Sequence, residues 1–342
     1  MKTIGVTVGT NELAGNPSYF KKNHKKFLVL EELIEIGKSI PFDYAIYAEI
    51  KALEKKNNIN VIPLDGKNLD LKICNSCDYI FCIYEATHNY MYYGGMKSFK
   101  HYINTLKKTK AKIFPSIKFQ EFIIYKNRYM KYLNQKGYDI INTKYLSLLS
   151  YKNDKKRLLN SIENFIEKNN YEKILIKSEI SSSSNSIEII DDVNTKKIKN
   201  YLDNKIKKSE DKKLLLQPFL KDFNKNWEIK TYWINNKHLY SFGHKKTKAG
   251  KTKLTKQKSK GGKLDTKIVN ICIKLGKSIL NDISRDYENL IHCRIDFGCC
   301  VEKDKLRYFI NEIEIFPTLS LDDTNKPYFH ILAKEVVKQC LQ

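Results

Sequence analysis

A chain of 342 residues is long enough for two or three domains around a substantial core, and 42% hydrophobic content argues against an intrinsically disordered protein. The net charge is +24, from 62 basic against 38 acidic residues. Such an excess concentrates anions (nucleic acid, nucleotide, polyphosphate or acidic polypeptide) without choosing among them. No apolar run approaches the roughly 20 residues of a membrane span, so no membrane partner is expected.

The opening MKTIGVTVGTNELAG reads as a first strand rather than a signal peptide, which gives a cytoplasmic or nuclear address by default. The eight cysteines are scattered, and several (Cys82, Cys272, Cys293) sit inside apolar segments, a pattern that suits reduced, buried thiols. Cys74-x-x-Cys77 has Cys82 and His88 nearby, but there is no second CxxC and Cys82 lies within YIFCIY, so zinc is not expected.

In chain order, Ile4–Gly9 is a short apolar run ending in glycine, a buried strand. Residues 10–42 read as irregular, Tyr44–Lys56 as a helix and Asn60–Leu64 as the next strand. Cys77–Tyr84 is a third strand, Tyr90–Leu106 is helical after Gly94-Gly95, and Ala111–Phe114 is a fourth strand. Strands alternating with helices predict a mostly parallel sheet, with ligands at the carboxyl ends of its strands. The loops after Gly9 and Glu85 then face substrate, and Glu85, His88, Tyr92 and Tyr93 are the groups there.

Periodicity predicts a helix over Phe119–Leu133, carrying Lys126, Arg128 and Lys131 and closed near Gly137, and then a short strand Asp139–Thr143. Asp154–Lys168 is amphipathic, with Leu158, Leu159, Ile162, Phe165 and Ile166 on one face. Lys173–Lys177 and Ile187–Ile190 read as a hairpin whose serine tip offers N–H and hydroxyl groups to phosphate, or else as strands joined by a surface linker. Lys213–Gln217 is a strand running into Pro218-Phe219-Leu220, and Trp227–Ile234 and Lys237–Phe242 form a hairpin around Asn235-Asn236. His244–Lys263 has nine lysines, three glycines and no acid, and reads as disordered. Asp265–Ile283 is an amphipathic helix capped by Asp265, and Tyr328–Leu341 is a closing helix.

IHCRIDFGCCV and LRYFINEIEIF flank the turn EKDK and predict a further β-hairpin. Period-two alternation puts Glu312 and Glu314 on one face, with Asp296 beside them on the partner strand. Three such carboxylates repel one another unless a cation neutralises them, and hard oxygen ligands suit Mg²⁺. The alternative is a solvated acidic face paired to Arg294 and Arg307.

The order of these features carries a resemblance. Lys126 lies 11 residues before the glycine of GYDIINT; then come Lys177 with its small-residue loop, the strand into Gln-Pro-Phe-Leu, WEIKTYWIN, RIDF and finally NEIEIFP. Over roughly residues 110–320 this resembles the ATP-grasp superfamily. The resemblance implies an α/β protein, α+β in its C-terminal half: a parallel-sheet pre-ATP-grasp domain over 1–112, the ATP-grasp lid over 113–220 and the metal-binding central subdomain over 221–342. It implies ATP and a pair of Mg²⁺ ions, with Mn²⁺ as a substitute, held between two sheets. Lys126, Lys177, Ser183 and Ser184 would meet the phosphates. Strand Leu214–Gln217, with Gln217 where Glu is frequent, and the backbone of Phe219 and Leu220 would meet the adenine edge. Glu228 would lie near the ribose or metal, and Asp296, Glu312 and Glu314 would carry the metal ions. Lys230 and Arg294 are the catalytic candidates, Arg294 being suited to grip a carboxylate or phosphoryl group bidentately.

The sequence departs from the family pattern in a serine-rich phosphate loop and in Glu314, where Asn is usual. Most ATP-grasp enzymes join a carboxylate to an amine through an acyl phosphate, and that reaction is the first expectation, with an anionic small molecule or an acidic peptide as substrate. KSEISSSSNSIE also resembles the inositol-polyphosphate kinases of this fold, although their His-Gly pair is replaced by Ser182-Ser183. A non-catalytic nucleic-acid-binding protein is the remaining class.

Overall fold

The computed structural model describes residues 1–9, 42–181, 187–191, 194–208, 210, 212–221, 223, 226–246, 252–256, 264–302, 305–316 and 328–342. The expected irregular stretch 10–41, the serines Ser183 and Ser184, and Pro317 lie outside these residues.

The first sheet contains β1 (Lys2–Val8), β2 (Ile59–Asp65), β3 (Tyr79–Cys82) and β4 (Lys112–Phe114), all parallel in the order β2-β1-β3-β4. Strands covered on both faces need uninterrupted apolar residues, and Ile4, Val6, Val61, Ile80 and Phe81 are buried. The connecting helices are α1 (Phe42–Lys51), α2 (Glu54–Asn57), α3 (Leu71–Asn75), α4 (Thr87–Tyr92) and α5 (Gly95–Lys108). The single helix expected after Tyr90 is broken because Gly94 and Gly95 both take positive φ (106° and 66°), which side chains resist. The chain passes from β1 to β2 on one side and then crosses to β3 on the other side of β1, so the carboxyl ends of β1 and β3 form a topological switch point.

Next come α6 (Ile117–Ile124) and α7 (Lys126–Gln135), not one helix over Phe119–Leu133. The break falls at Tyr125, and the amide of Lys126 donates to the carbonyl of Glu179 (3.0 Å). No strand forms over Asp139–Thr143; Ile140 makes an isolated bridge to Ile310, and the strand is β5 (Lys144–Ser147). With β6 (Ile174–Ser178), β7 (Ile187–Ile190) and β8 (Lys213–Pro218) it builds an antiparallel sheet, β5-β8-β6-β7. Helices α8 (Leu148–Asn153), α9 (Lys155–Lys168) and α10 (Thr195–Lys208) cover one face, where Leu146, Ile162, Ile176, Leu202, Leu214 and Leu216 share a core. Alternation sends Leu175, Lys177, Ile187, Ile189, Leu215 and Gln217 to the opposite face.

The third sheet, β11-β10-β9-β12-β13, is formed by β9 (Glu228–Ile234), β10 (Lys237–Lys246), β11 (Thr252–Lys256), β12 (His292–Glu302) and β13 (Lys305–Glu314). Asn235 and Asn236 both adopt left-handed backbone (φ 49° and 57°), as a tight hairpin requires. Within the lysine run expected to be disordered, residues 244–246 extend β10 and residues 252–256 form β11, which pairs with it antiparallel, while the rest of the run lies outside the described residues. Backbone ladder bonds are indifferent to side-chain charge, and lysine is well suited to an edge strand. Helix α11 (Thr266–Asp286) packs so closely that a Cβ on Gly276 would fall 2.6 Å from Trp233 Cζ2. Helix α12 (Tyr328–Leu341) joins the apolar core shared by the first and third sheets. Among the described residues, no helix is long and apolar enough to cross a membrane.

His292 sits where those two sheets meet, 2% exposed, its ring edge-on to Phe81 at 5.8 Å. Neither ring nitrogen has a partner among the described residues, and burial pushes its pKa down to about 3. Unfolding restores the ordinary value, so the unfolded chain binds the proton first and stability falls as pH drops below about 6.5. At pH 5 the loss from this residue is about 2 kcal/mol, from ~1.36 kcal/mol per pH unit. Denaturant unfolding of wild type and His292→Leu at pH 7 and pH 5 checks this; the variant is expected to lack that share of the acid sensitivity.

Candidate functional site

The carboxylates foreseen on the acidic hairpin share one face through strand register. Asp296 stands opposite Glu312 on β13 and Lys230 on β9, and Arg294 stands opposite Glu314 and Tyr232. One rung therefore carries Lys230, Asp296 and Glu312, and the next same-face rung carries Tyr232, Arg294 and Glu314. A β-bulge follows: Phe297 pairs with Ile310, so Asn311 is the inserted residue. Its amide reaches Glu228 Oε1 at 2.9 Å, adding a side chain that strict alternation turns away.

Carboxylate oxygens of Asp296, Glu312 and Glu314 lie within 4.8 Å of one another, the one acidic or metal-type cluster of its kind among the described residues. Positive charge converges on them. Lys126 forms an ion pair with Glu312, Lys230 bonds Asp296 at 2.6 Å and approaches Glu228 at 3.4 Å, and Arg294 meets Glu314 at 2.8 Å. The Arg294 fork, expected to grip a substrate anion, is turned onto Asp296 (Nε to Oδ1 2.6 Å, Nη2 to Oδ2 2.8 Å), because the two buried side chains stand two residues apart on one strand.

The electrostatics are uneven. Burial alone would raise Asp296, but Arg294 and Lys230 hold it at about 2. Glu312 is likewise drawn down against burial, chiefly by Lys126. Glu314 is pushed up to about 8 by burial and by Glu312 and Asp296, more than Arg294 can offset. Glu314 is thus the carboxylate whose negative charge its neighbours support least, and the hard oxygen donors of the trio fit a divalent cation, which would favour its ionised form.

Lys126 stands at the junction of all three sheets. It caps the break before α7, its amide is tied to Glu179 just past β6, and Glu312, Glu314 and Glu85 keep its ammonium charged against the cost of burial. Lys177, at the end of β6, has no ion pair among the described residues; burial and the neighbouring Lys126 lower it to about 8. Glu228 is fixed by Lys230, by Asn311 and by His244 Nδ1 at 3.1 Å. Gln217 is buried on the Lys177 face of the second sheet and donates to Thr143 Oγ1 at 2.8 Å. The Phe219 amide donates to the Lys173 carbonyl (2.9 Å) and the Leu220 carbonyl accepts from Phe223 (3.1 Å), so these two groups of the expected adenine edge are engaged within the chain.

At the switch point of the first sheet, Glu85 accepts from Thr87 Oγ1 (2.7 Å) and lies 3.2 Å from His88 Nε2. Asp43, which sequence reasoning missed, accepts the amides of Gly9 (2.5 Å) and Tyr44 (2.9 Å), and burial pushes it up to about 6. Its position at the start of α1, facing the end of β1, was the available signal. Asn311 and His244 carried none, since one depends on a bulge and the other on strand register.

Neither a protein-family model nor a curated protein matches this sequence. Solved structures do. A D-cycloserine synthetase superposes with a TM-score of 0.65 at 9% identity, over 99% of this chain and 100% of that one. A D-alanine–D-alanine ligase from Bacillus anthracis complexed with ATP gives 0.61 at 12% identity, over 100% and 98%. The ATP-grasp ligase PsnB, complexed with a minimal precursor, gives 0.54 at 9% identity, over 99% of both chains. The fold is ATP-grasp. The charged cluster lies on the third sheet, with Lys177 arriving from β6 of the second sheet and Lys126 from the start of α7.

A lysine of pKa about 8 regains its proton when a polyanion arrives. Binding of a polyanion such as tripolyphosphate beside Lys177 is therefore expected to take up about half a proton at pH 8 and almost none at pH 6.5, where Lys177 is already charged. Calorimetry in buffers of different ionisation enthalpy measures the uptake, and Lys177→Arg, always charged, is expected to flatten the pH dependence.

Proposed function

We propose that the chain is an ATP- and Mg²⁺-dependent ligase that joins a carboxylate to an amine through an acyl phosphate. The observation that carries this reading is the meeting of Asp296, Glu312 and Glu314 with Lys126 on one sheet face. Phosphoryl transfer demands positioning and charge neutralisation more than covalent help from the protein. Asp296, Glu312 and Glu314 would hold Mg²⁺, which when bound neutralises the triphosphate and orients its terminal phosphoryl group.

The remaining roles belong to side chains. Lys126 and Lys177 bind the phosphates, Lys177 from the lid and Lys126 from its hinge. Ile187 and Ile189, 39% and 44% exposed on the Lys177 face, supply apolar surface for the adenine ring, with Gln217 beyond them. Lys230 and Arg294 hold Asp296 ionised and oriented, and Arg294 stabilises charge on the transferring phosphoryl group beside Glu314. The proteins whose fold it shares are ligases and synthetases by name.

The acceptor wall favours a ligase over a kinase acting on an inositol phosphate or a similar polyol. Asp43 and Glu85 line the switch point, and Glu85 is close enough to Lys126 to act on its charge. Carboxylates repel a phosphorylated alcohol and attract the ammonium group of an incoming amine.

Phosphate release from ATP–Mg²⁺ is expected only when a carboxylate and an amine are both supplied from a panel of amino acids and peptides; ADP formed without free phosphate, in the presence of an inositol phosphate, supports the kinase instead. Glu312→Gln is expected to lower turnover by about 10³-fold or more, as loss of a charge-stabilising group does, while the folded protein persists in circular dichroism. Unchanged turnover in that variant contradicts the metal assignment.

A further inference from the structure

The lid carries a second cationic site, on the side away from the cleft. Register places Lys144 opposite Leu216, which belongs to the helix-covered face of the lid sheet, whereas Lys177 stands opposite Leu215 on the cleft face. Between β5 and α9 lies an open pocket of about 420 Å³, whose walls include Lys144, Arg157, Ser161, Asn164, Phe165 and Lys168. Its lining contains no carboxylate.

Some lysines of this subdomain have acidic partners: Lys155 and Lys199 share Asp203 at 2.8 and 3.1 Å, and Lys173 pairs with Asp191. Lys144, Arg157 and Lys168 have no ion pair among the described residues. Lys144 is held over the Phe165 ring, 5.5 Å from its centroid, a contact that orients an ammonium without neutralising it. Burial also lowers the Lys144 pKa, the mark of a cation partly desolvated with no counter-charge to compensate. Arg157 and Lys168 are 11 residues apart on α9, about 16 Å along a helix axis. That axial separation is one of backbone, and linked phosphates between the two long side chains shorten the reach that a single phosphate would demand of both.

We propose that this pocket binds a small polyanion bearing two or more phosphate groups, independently of the nucleotide cleft. The volume lies within the ~300–1,000 Å³ of small-molecule sites. The donors fit as well: a guanidinium fork, two ammonium groups, the Ser161 hydroxyl and the Asn164 amide. The two sites occupy opposite faces of one four-stranded sheet, so their ligands do not compete.

Calorimetric titration of sodium pyrophosphate, without divalent cations and at fixed salt, into three forms of the full chain tests this. The cleft variant Lys126→Gln/Lys177→Gln is expected to keep one saturable pyrophosphate site, and the lid variant Arg157→Gln/Lys168→Gln to lose it by at least tenfold while binding ATP–Mg²⁺ within twofold of wild type. Both lid residues are exposed; for every variant a cooperative melting transition above the titration temperature verifies the fold, and Lys177→Gln alone serves as the cleft variant if loss of the Lys126–Glu312 pair unfolds the chain. Loss of all pyrophosphate binding in the cleft variant overturns the proposal, as does non-saturating heat unaffected by the lid substitutions. Citrate binding more tightly than pyrophosphate at the lid site overturns the phosphate assignment.

Discussion

Glu228, Asp296, Glu312 and Glu314 can share one sheet face, the first two buried and the last two half-buried, only because Lys126, Lys230 and Arg294 meet them there. Each buried carboxylate costs several kcal/mol to desolvate, and removing a single partner from such a network costs about 3–5 kcal/mol because an uncompensated charge remains. The compensation is incomplete. Glu314 is left with a pKa of about 8 and Lys177 with no ion pair among the described residues, so the cluster has one acid and one base whose charges are both poorly supported. A cation at the first and an anion at the second relieve both defects together.

That requirement explains how the three sheets are joined. Lys126 must reach Glu312 from the start of a helix, and the interruption at Tyr125 begins α7 where its ammonium can do so while its amide donates to the Glu179 carbonyl. The first sheet contributes Glu85 to the same junction. Its position is held by apolar contact rather than by charge: Phe81, Ile234, Tyr232 and α12 share one core, and His292 is kept neutral within it. The cleft is thus lined by residues far apart in the chain, each fixed by the element behind it.

Much of this was legible in the amino-acid pattern, because a two-residue repeat leaves little freedom in NEIE or RIDF about which side chains share a face. The alternating strand and helix pattern of the first sheet and the Asn235-Asn236 turn were equally plain. Other features depended on contacts that local pattern does not encode. The break at Tyr125 is stabilised by an acceptor 53 residues downstream (126 to 179). The β11 strand was hidden by its lysines, which say nothing about backbone pairing. Asn311 reaches Glu228 through a bulge, and α10 buries only a narrow stripe, Ile198 and Leu202, beneath a lysine-rich surface. Spacing shows that Arg294 and Asp296 are neighbours on one strand, but not that the fork makes two hydrogen bonds to Asp296 while also meeting Glu314.

The most direct measurement is a crystal structure of the chain with Mn²⁺ and a non-hydrolysable ATP analogue, using anomalous scattering to locate the metal. The account predicts Mn²⁺ bound by oxygens of Asp296, Glu312 and Glu314, with the triphosphate running between Lys126 and Lys177 and the adenine against Ile187 and Ile189. Nucleotide bound elsewhere, or Mn²⁺ absent from those three carboxylates when nucleotide is present, contradicts it.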